Sequence, residues 1–178
     1  MVILLSEFVF VDPSTKVLFN SFGLLLVSGI VIGLMFIPKV LIVLKGEENA
    51  LKELYVIVID EPQTELESAI MNNGLENDYT ADLKGYSRLI IDGIDPSVKV
   101  DTVADFKDGT LNGMKSRQLN MTGITNGVNI YWKFAFLEGK NNYYQIMVWT
   151  LADNKKKFDD DMQDIINSFK ETDRSAKQ

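Results

Sequence analysis

The chain contains no cysteine and no histidine among its 178 residues. The absence of cysteine excludes disulfides, thiolate nucleophiles, cysteine-ligated zinc and the acylated cysteine of a lipoprotein. The absence of histidine excludes Ser-His-Asp and Cys-His catalysis and removes the commonest ligand of transition metals. We therefore expect no metal site, no cofactor and no enzymatic activity.

Basic residues are outnumbered over most of the chain. Residues 46–178 hold 15 Lys and Arg against 23 Asp and Glu, which gives this part a formal net charge of −8. Phosphate backbones and anionic lipid headgroups repel an acidic surface. We therefore expect no nucleic-acid partner.

The acidic residues form no convincing catalytic arrangement. Asp60 and Glu61 end a predicted strand, where adjacent side chains point to opposite faces, which argues against shared acid–base catalysis. The acidic run Asp159–Asp161 fits the solvated face of a helix better than a cation site. The segment Asp105–Gly109 has the look of half a calcium loop, but it lacks the alternate oxygen ligands and the terminal glutamate.

A long run without charge lies near the N-terminus. Val17–Ile37 contains 21 residues and no charged side chain, and a helix of that length, about 30 Å, matches the hydrocarbon thickness of a bilayer. We predict one transmembrane helix over residues 17–44, in which Lys39 reaches toward the headgroups. A short apolar segment, residues 1–16, precedes the helix, and a linker, residues 45–53, follows it.

Two glycines in this span, Gly29 and Gly33, form a Gly-x-x-x-Gly pair. Such a pair allows two membrane helices to approach closely. Glycine is also frequent in membrane helices that make no such contact. The pair is a candidate packing site, and residues 17–44 are predicted to contact the lipid bilayer and other membrane protein subunits.

Residues 54–170 carry the pattern of an α+β domain. A short apolar run, Leu54–Asp60, predicts a buried strand. Helices are predicted over Pro62–Asn73 and Thr80–Asp92, from a proline in the first turn, glycines after the ends and an apolar face.

The rest of the domain is predicted to be an antiparallel meander closed by a helix. From Val98 onward apolar residues alternate through about four strands, with turns at Asp108–Gly109 and in the region Thr122–Gly127. The strand Tyr143–Leu151 is apolar on both faces, as expected of a central strand. The final helix has one apolar stripe that packs on the sheet: Phe158, Met162, Ile165, Ile166 and Phe169. Residues 171–178 are predicted to be a disordered tail.

The last two strands supply the candidate binding residues. Tyr131 and Lys133 share one face of their strand, and Tyr and Trp favour half-polar sites. We hypothesise a binding groove lined by Tyr131, Lys133, Tyr143, Gln145 and Trp149. The alternative is that these side chains belong to a core on both sides of the sheet.

The order of these elements resembles the PsbP-like and DcrB-like superfamily of small αβα domains. The resemblance covers about Tyr55–Lys170 and is carried by "LNGMKSRQ" (Leu111–Gln118), "YYQIMVWT" (Tyr143–Thr150) and "INSFK" (Ile166–Lys170). It implies a non-enzymatic accessory domain that binds a larger assembly or supports the bacterial envelope. The lipobox cysteine of DcrB-like lipoproteins is missing, with a predicted membrane helix in its place, and no functional residue of the family is carried over.

Two functions stay open on these grounds. One is a single-pass protein of the cell (inner) membrane whose soluble domain binds other subunits. The other is a membrane-tethered sensor or carrier that binds a small apolar ligand between sheet and helices. The lysines that follow the span favour a cytoplasmic domain, whereas the resemblance favours the extracytoplasmic side, which we predict.

Overall fold

A computed structural model describes residues 39–42 and 54–171 of the chain. These residues form seven strands, three α-helices and one 3-10 helix. In chain order they are β1 (Lys39–Ile42), β2 (Leu54–Pro62), α1 (Gln63–Asn72), α2 (Leu83–Asp92), β3 (Lys99–Val103), β4 (Lys107–Leu111), β5 (Met114–Thr125), β6 (Val128–Glu138), β7 (Asn142–Leu151), the 3-10 helix (Ala152–Asn154) and α3 (Lys155–Asn167).

The strands form one antiparallel sheet in the order β1-β2-β7-β6-β5-β3. Two short strands share the outer edge of β5: β4 pairs with residues 114–118 and β3 with residues 121–124. The hairpins β5–β6 and β6–β7 are the predicted meander, and β2 pairs with the other edge of β7. The prediction of an α+β fold with an antiparallel sheet and packed helices is confirmed.

The sheet is covered on both faces, and each face has its own core. On one face, α1 and α2 pack over a core that includes Ile57 and Phe134. On the other face, α3 packs over a core that includes Val56 and Ala135. Because side chains alternate along a strand, β6 and β7 contribute to both cores. The domain is therefore a three-layer αβα sandwich.

The helices start and pack as their sequences indicate. Asp82 caps α2 by accepting a hydrogen bond from the Gly85 amide at 2.8 Å, as short polar side chains do at helix N-termini. Helix α2 therefore starts at Leu83, three residues after the predicted Thr80. The predicted stripe of α3 is confirmed for Phe158, Met162, Ile165 and Ile166, which pack on the sheet, and Phe169 packs there from just after the end of the helix.

Two Asn-Gly turns connect β4 to β5 and β5 to β6. The φ angles are 48° and 86° at Asn112–Gly113 and 52° and 79° at Asn126–Gly127, the positive values that tight hairpin turns require. The second turn lies within the predicted region Thr122–Gly127, but residues 122–125 of that region belong to β5. The first is a correction, because Asp108–Gly109 lies inside β4. Turning at 112–113 instead places Leu111 opposite Met114 and buries both under α3.

Strand β1 corrects the N-terminal boundary of the domain. Residues 39–42 were assigned to the predicted membrane helix 17–44, but they form a strand paired with β2. Pro38 disfavours a helical conformation at the residue before it, and the β-branched residues that follow favour a strand. The predicted linker 45–53 therefore separates two strands of one sheet, and residues 17–38 lie outside the described residues. Within residues 39–42 and 54–171, no helix has the length and apolar character needed to span a bilayer.

The C-terminal boundary also shifts. The carboxylate of Glu171, assigned to the tail, accepts hydrogen bonds from the Tyr144 hydroxyl at 2.8 Å and from the Lys140 amide at 3.2 Å. These contacts join the segment after α3 to the β6–β7 hairpin. The rest of the predicted tail, residues 172–178, lies outside the described residues.

The contact between β3 and β5 depends on Gly123. A Cβ atom at this position would lie 2.7 Å from the Lys99 carbonyl oxygen and 3.2 Å from the Val100 Cα, and backbone atoms cannot move aside cheaply. We predict that Gly123→Ala loosens β3, seen as faster hydrogen exchange of its amides. Gly109→Ala is the matched control, because its Cβ would meet only the Ser116 hydroxyl at 3.7 Å. Equal exchange in the two variants would contradict the prediction.

Candidate functional site

The five candidate binding residues lie on opposite faces of the sheet. Tyr131 and Lys133 point from β6 toward α3, whereas Tyr143, Gln145 and Trp149 lie on the face of β7 that α1 and α2 cover. Odd-numbered residues of β6 pair with even-numbered residues of β7, so odd residues of the two strands point in opposite directions. The structure does not bring the five together in one groove. All five are buried, as the two-sided core requires.

Tyr131 and Lys133 belong to a polar cluster that joins β6 to α3. The Lys133 Nζ atom donates to the Asp159 carbonyl oxygen at 2.9 Å and lies 3.2 Å from Asp159 Oδ1. The Tyr131 hydroxyl donates to the same Oδ1 at 3.0 Å. Lys133 is only 6 % exposed, and a buried ammonium is tolerated where a carboxylate and a carbonyl oxygen surround it.

The pKa shifts of Tyr131 and Asp159 indicate that this cluster anchors α3 on the sheet. Burial raises the pKa of Tyr131, and its hydrogen bond to Asp159 raises it further, so the hydroxyl stays a neutral donor. Burial acts to raise the pKa of Asp159, but hydrogen bonds from Lys133 and Tyr131 outweigh that effect and the pKa is lowered. Because these groups are engaged with one another, the cluster holds α3 on the sheet.

A second polar cluster lies under α1 and α2. Tyr86 of α2 stacks on Tyr143, with ring centres 4.8 Å apart and an angle of 17° between planes. Glu61 lies opposite Tyr143 in the β2–β7 register. Three buried oxygen atoms of the described residues have no hydrogen-bond partner there: the Tyr86 hydroxyl, Gln145 Oε1 and Glu65 Oε2. Because a buried polar atom without a partner costs free energy, this cluster lowers stability.

Glu61 is the titrating group of the second cluster. Burial raises the pKa of Glu61 above its usual value near 4.5. The nearby carboxylates of Glu65 and Asp60 raise it further. The Tyr86 hydroxyl approaches closely enough to offset part of this rise, although its geometry falls short of a well-formed hydrogen bond. Ionised Glu61 is therefore unfavourable in the folded protein.

The space beside the aromatic candidates is filled by other rings. Trp149 stacks on Tyr55 with ring centres 5.4 Å apart, and it lies opposite Trp132 on β6. Tyr143 is covered by Tyr86. Tyr86 therefore occupies the position above Tyr143 that a small apolar ligand would need, whereas Tyr55 and Trp132 lie beside Trp149 on the neighbouring strands.

Two further candidate features concern metals and membrane packing. Within the part of the chain that the structure describes, no three Asp or Glu side chains lie close enough to bind one metal ion. The glycine pair, Gly29 and Gly33, lies outside the described residues, so its role in helix packing stays a prediction.

One surface feature was not found from the sequence. The described residues contain five exposed large apolar side chains, and four of them lie at one corner of the sheet, on β3, the end of β5 and the start of β6. These four, the corner patch, are Val100, Val103, Ile124 and Val128, between 37 % and 47 % exposed. Their strand register places the three valines on the face covered by α1 and α2, and Ile124 on the opposite face.

Comparisons with known proteins give little beyond this geometry. No protein-family model matches the chain, and no curated protein matches it either. One similar solved structure is PA94 of Pseudomonas aeruginosa, a protein of unknown function, with 9 % identity over 76 % of this chain and 83 % of that one and a TM-score of 0.44. Another is LpqN of Mycobacterium tuberculosis, involved in cell envelope biogenesis, with 12 % identity over 78 % and 85 % of the two chains and a TM-score of 0.35. Such TM-scores are too low to indicate function, and the resemblance to PsbP-like and DcrB-like domains stays a prediction.

The environment of Glu61 predicts that replacing it with Gln stabilises the protein, and that the gain depends on pH. A carboxyl whose pKa is raised by folding destabilises the folded state when it is ionised, and this penalty disappears as the pH falls through the raised pKa. We expect Glu61→Gln to raise the free energy of unfolding at pH 7, and the gain to vanish near pH 4. Glu67→Gln, at an exposed site on the neighbouring helix α1, should change the free energy of unfolding by less than about 0.5 kcal/mol at either pH. Urea denaturation at both pH values measures the free energy of unfolding. A Glu61→Gln effect that does not change with pH would contradict the prediction.

Proposed function

We propose that this chain is a membrane-anchored, non-enzymatic accessory domain that binds another membrane protein subunit through the corner patch. The observation that carries the proposal is the clustering of four of the five exposed large apolar side chains at one corner of the sheet. Single apolar residues scattered over a surface are normal, whereas exposed apolar residues that share one face of one corner, as the three valines do, mark a candidate contact surface.

The shape of the corner supports this reading. Val100 and Val103 lie on the edge strand β3, and Gly123 between β3 and β6 has no side chain to fill the face beside them. The side chains of Lys99 and Asp101, which neighbour Val100 in sequence, lie on the opposite face with Ile124 and Thr122, so they leave the face of the valines uncovered.

The runner-up function, a sensor or carrier for a small apolar ligand, has less support. It requires space next to Tyr143 and Trp149, and those rings are in contact with Tyr86 and Tyr55. A ligand above Tyr143 would have to displace the stacked ring of Tyr86, and such a pair contributes about 0.5–1.5 kcal/mol beyond its burial. A partner at the corner patch needs no such rearrangement.

Attachment to the membrane is part of the proposal and rests on the sequence. The run Val17–Ile37 is long enough to span a bilayer and ends just before β1. The span would therefore join the sheet directly at one edge, and the corner patch lies at the opposite edge. A role in a membrane complex or in envelope integrity also agrees with the resemblance to PsbP-like and DcrB-like domains.

We expect polar substitutions in the corner patch to abolish the binding of a partner subunit. The full chain, purified in mild detergent, should carry a stoichiometric membrane subunit, and the double variant Val103→Ser, Val128→Ser should lose at least nine tenths of it. Met71→Ser is the matched control, because Met71 is an exposed apolar residue on α1, outside the patch. A chain that purifies alone, or a partner that both variants retain equally, would overturn the proposed function.

The side of the membrane can be determined with one cysteine, because the chain has none. Asp160 lies exposed on α3. We expect Asp160→Cys to react with a membrane-impermeant maleimide in intact cells, since the domain is predicted to be extracytoplasmic. The parent chain provides the unlabelled control. Labelling only after lysis would place the domain in the cytoplasm.

A further inference from the structure

A β-bulge in β3 shapes the corner patch. The pairing of β3 with β5 shifts directly after Val100, so Asp101 is an extra residue in the strand. Residues three positions apart on a regular strand point to opposite faces. The bulge instead places Val100 opposite Gly123 and Val103 opposite Met121, and those two residues of β5 lie two positions apart. Both valines therefore point to the face that α1 and α2 cover.

Side-chain hydrogen bonds hold the bulge in place. The Thr122 hydroxyl donates to the Asp101 carboxylate at 3.2 Å and lies 2.6 Å from the Thr102 hydroxyl. A bulge bends an edge strand and interrupts the regular row of N–H and C=O groups on its outer side, which disfavours pairing with a strand of another chain. We therefore expect a partner to bind the face of the corner patch and not its edge.

A helix is the element that fits this face. The face is covered by α1 and α2, and α2 packs over β5 and β6. The chain passes from α2 to β3 through a turn in which the Val98 amide donates to the Asp95 carbonyl oxygen at 2.9 Å. Val98 is buried, whereas Val100 and Val103 are 45 % and 47 % exposed. Among the described residues, the layer of helices thus ends before it covers β3, and a further helix beside α2 would bury the two valines.

The chain around the corner patch is acidic. Residues 89–106, which carry two of its valines, contain four aspartates against one lysine, which gives this segment a formal net charge of −3. Residues 121–128, which carry the rest of the patch, contain no charged side chain. Complementary charges on the two sides of an interface favour the correct partner and repel others. We therefore expect the partner of this corner to be basic.

Two of these aspartates lie at the end of α2 that leads into the patch. Asp92 is in the last turn of the helix, and Asp95 follows shortly after its end. The last turn contains no basic residue, so the negative end of the helix dipole adds to the two carboxylates. Arg88 lies 3.2 Å from Asp92, but both side chains are exposed, and such surface pairs contribute little. A Lys or Arg side chain of a partner would be attracted to this end of α2.

We propose that the partner subunit binds the corner patch with a basic amphipathic helix, which lies over β3 beside α2. Its apolar side chains contact the three valines of the patch, and its Lys and Arg side chains approach Asp92 and Asp95. The docking of a helix through one apolar face is a common mode of recognition between proteins. The inference rests on the proposed function and names the chemistry of the partner.

Two designed peptides test this chemistry on the full chain in nanodiscs of zwitterionic lipid. The first is a helix of about 14 residues, four turns, with leucine on one face and lysine on the other. The second has glutamate in place of lysine. We expect the Leu–Lys peptide to bind at least about tenfold more tightly by fluorescence anisotropy, because it brings the opposite charge to the patch. The double variant Val103→Ser, Val128→Ser should lose most of this affinity, and nanodiscs without the protein measure binding to the lipid alone.

Two charge-reversal variants separate a local effect from the net charge of the chain. Asp92→Lys with Asp105→Lys changes the charge beside the patch, and Asp92→Lys suits the fold because a basic residue is favourable at a helix C-terminus. Asp160→Lys with Asp161→Lys makes the same change at exposed residues of α3, on the other face of the sheet. The first variant should weaken binding of the Leu–Lys peptide several-fold more than the second. Equal losses in the two variants would overturn the inference.

The peptides also distinguish a failure of this inference from a failure of the proposed function. A Leu–Glu peptide that binds as tightly as the Leu–Lys peptide would refute the basic helix. Binding of the Leu–Lys peptide that does not change in the double valine variant would refute its position. If either result is found while a copurified subunit still depends on Val103 and Val128, the inferred helix is wrong and the proposed function stands.

Discussion

Strands β6 and β7 are covered on both faces, and the other elements are arranged around this pair. Each strand sends alternate side chains into the two cores, so the same backbone segments hold α1 and α2 on one side and α3 on the other. Trp132 and Phe134 enter one core, whereas Tyr131 and Lys133 face the other. A shift of one residue in the pairing would move every side chain to the wrong layer and would place the Lys133 ammonium under α1 and α2, away from Asp159.

The two layers of helices are held by different chemistry. On the α3 side, Lys133 and Asp159 compensate each other, and the hydroxyl of Tyr131 completes the arrangement. On the other side, Arg117 of β5 donates to the Ser87 hydroxyl and the Lys84 carbonyl oxygen of α2, whereas Gln145 Oε1 and Glu65 Oε2 have no hydrogen-bond partner among the described residues. Elements packed over unpaired polar groups open more readily than fully satisfied ones. We therefore expect α1, which carries Glu65, to be more dynamic than α3.

Much of the fold could be predicted because periodicity within one segment is visible in the sequence. The apolar stripe of α3 and the alternation along β6 both predict which side chains are buried. Relations between segments are not visible in this way. Whether Tyr131 and Tyr143 share a face depends on how many residues the β6–β7 hairpin contains, and periodicity alone does not set that register. Val100 and Val103 have the pattern of buried strand residues, and only the position of β3 at an edge leaves them exposed.

The two edges of the sheet lie far apart, and this separates the predicted membrane span from the corner patch. Strands β1 and β3 are separated by five strand spacings, roughly 24 Å at about 4.8 Å each. If the chain is anchored through residues 17–37 as proposed, a subunit bound at the corner patch would therefore contact the domain at the edge farthest from its anchor.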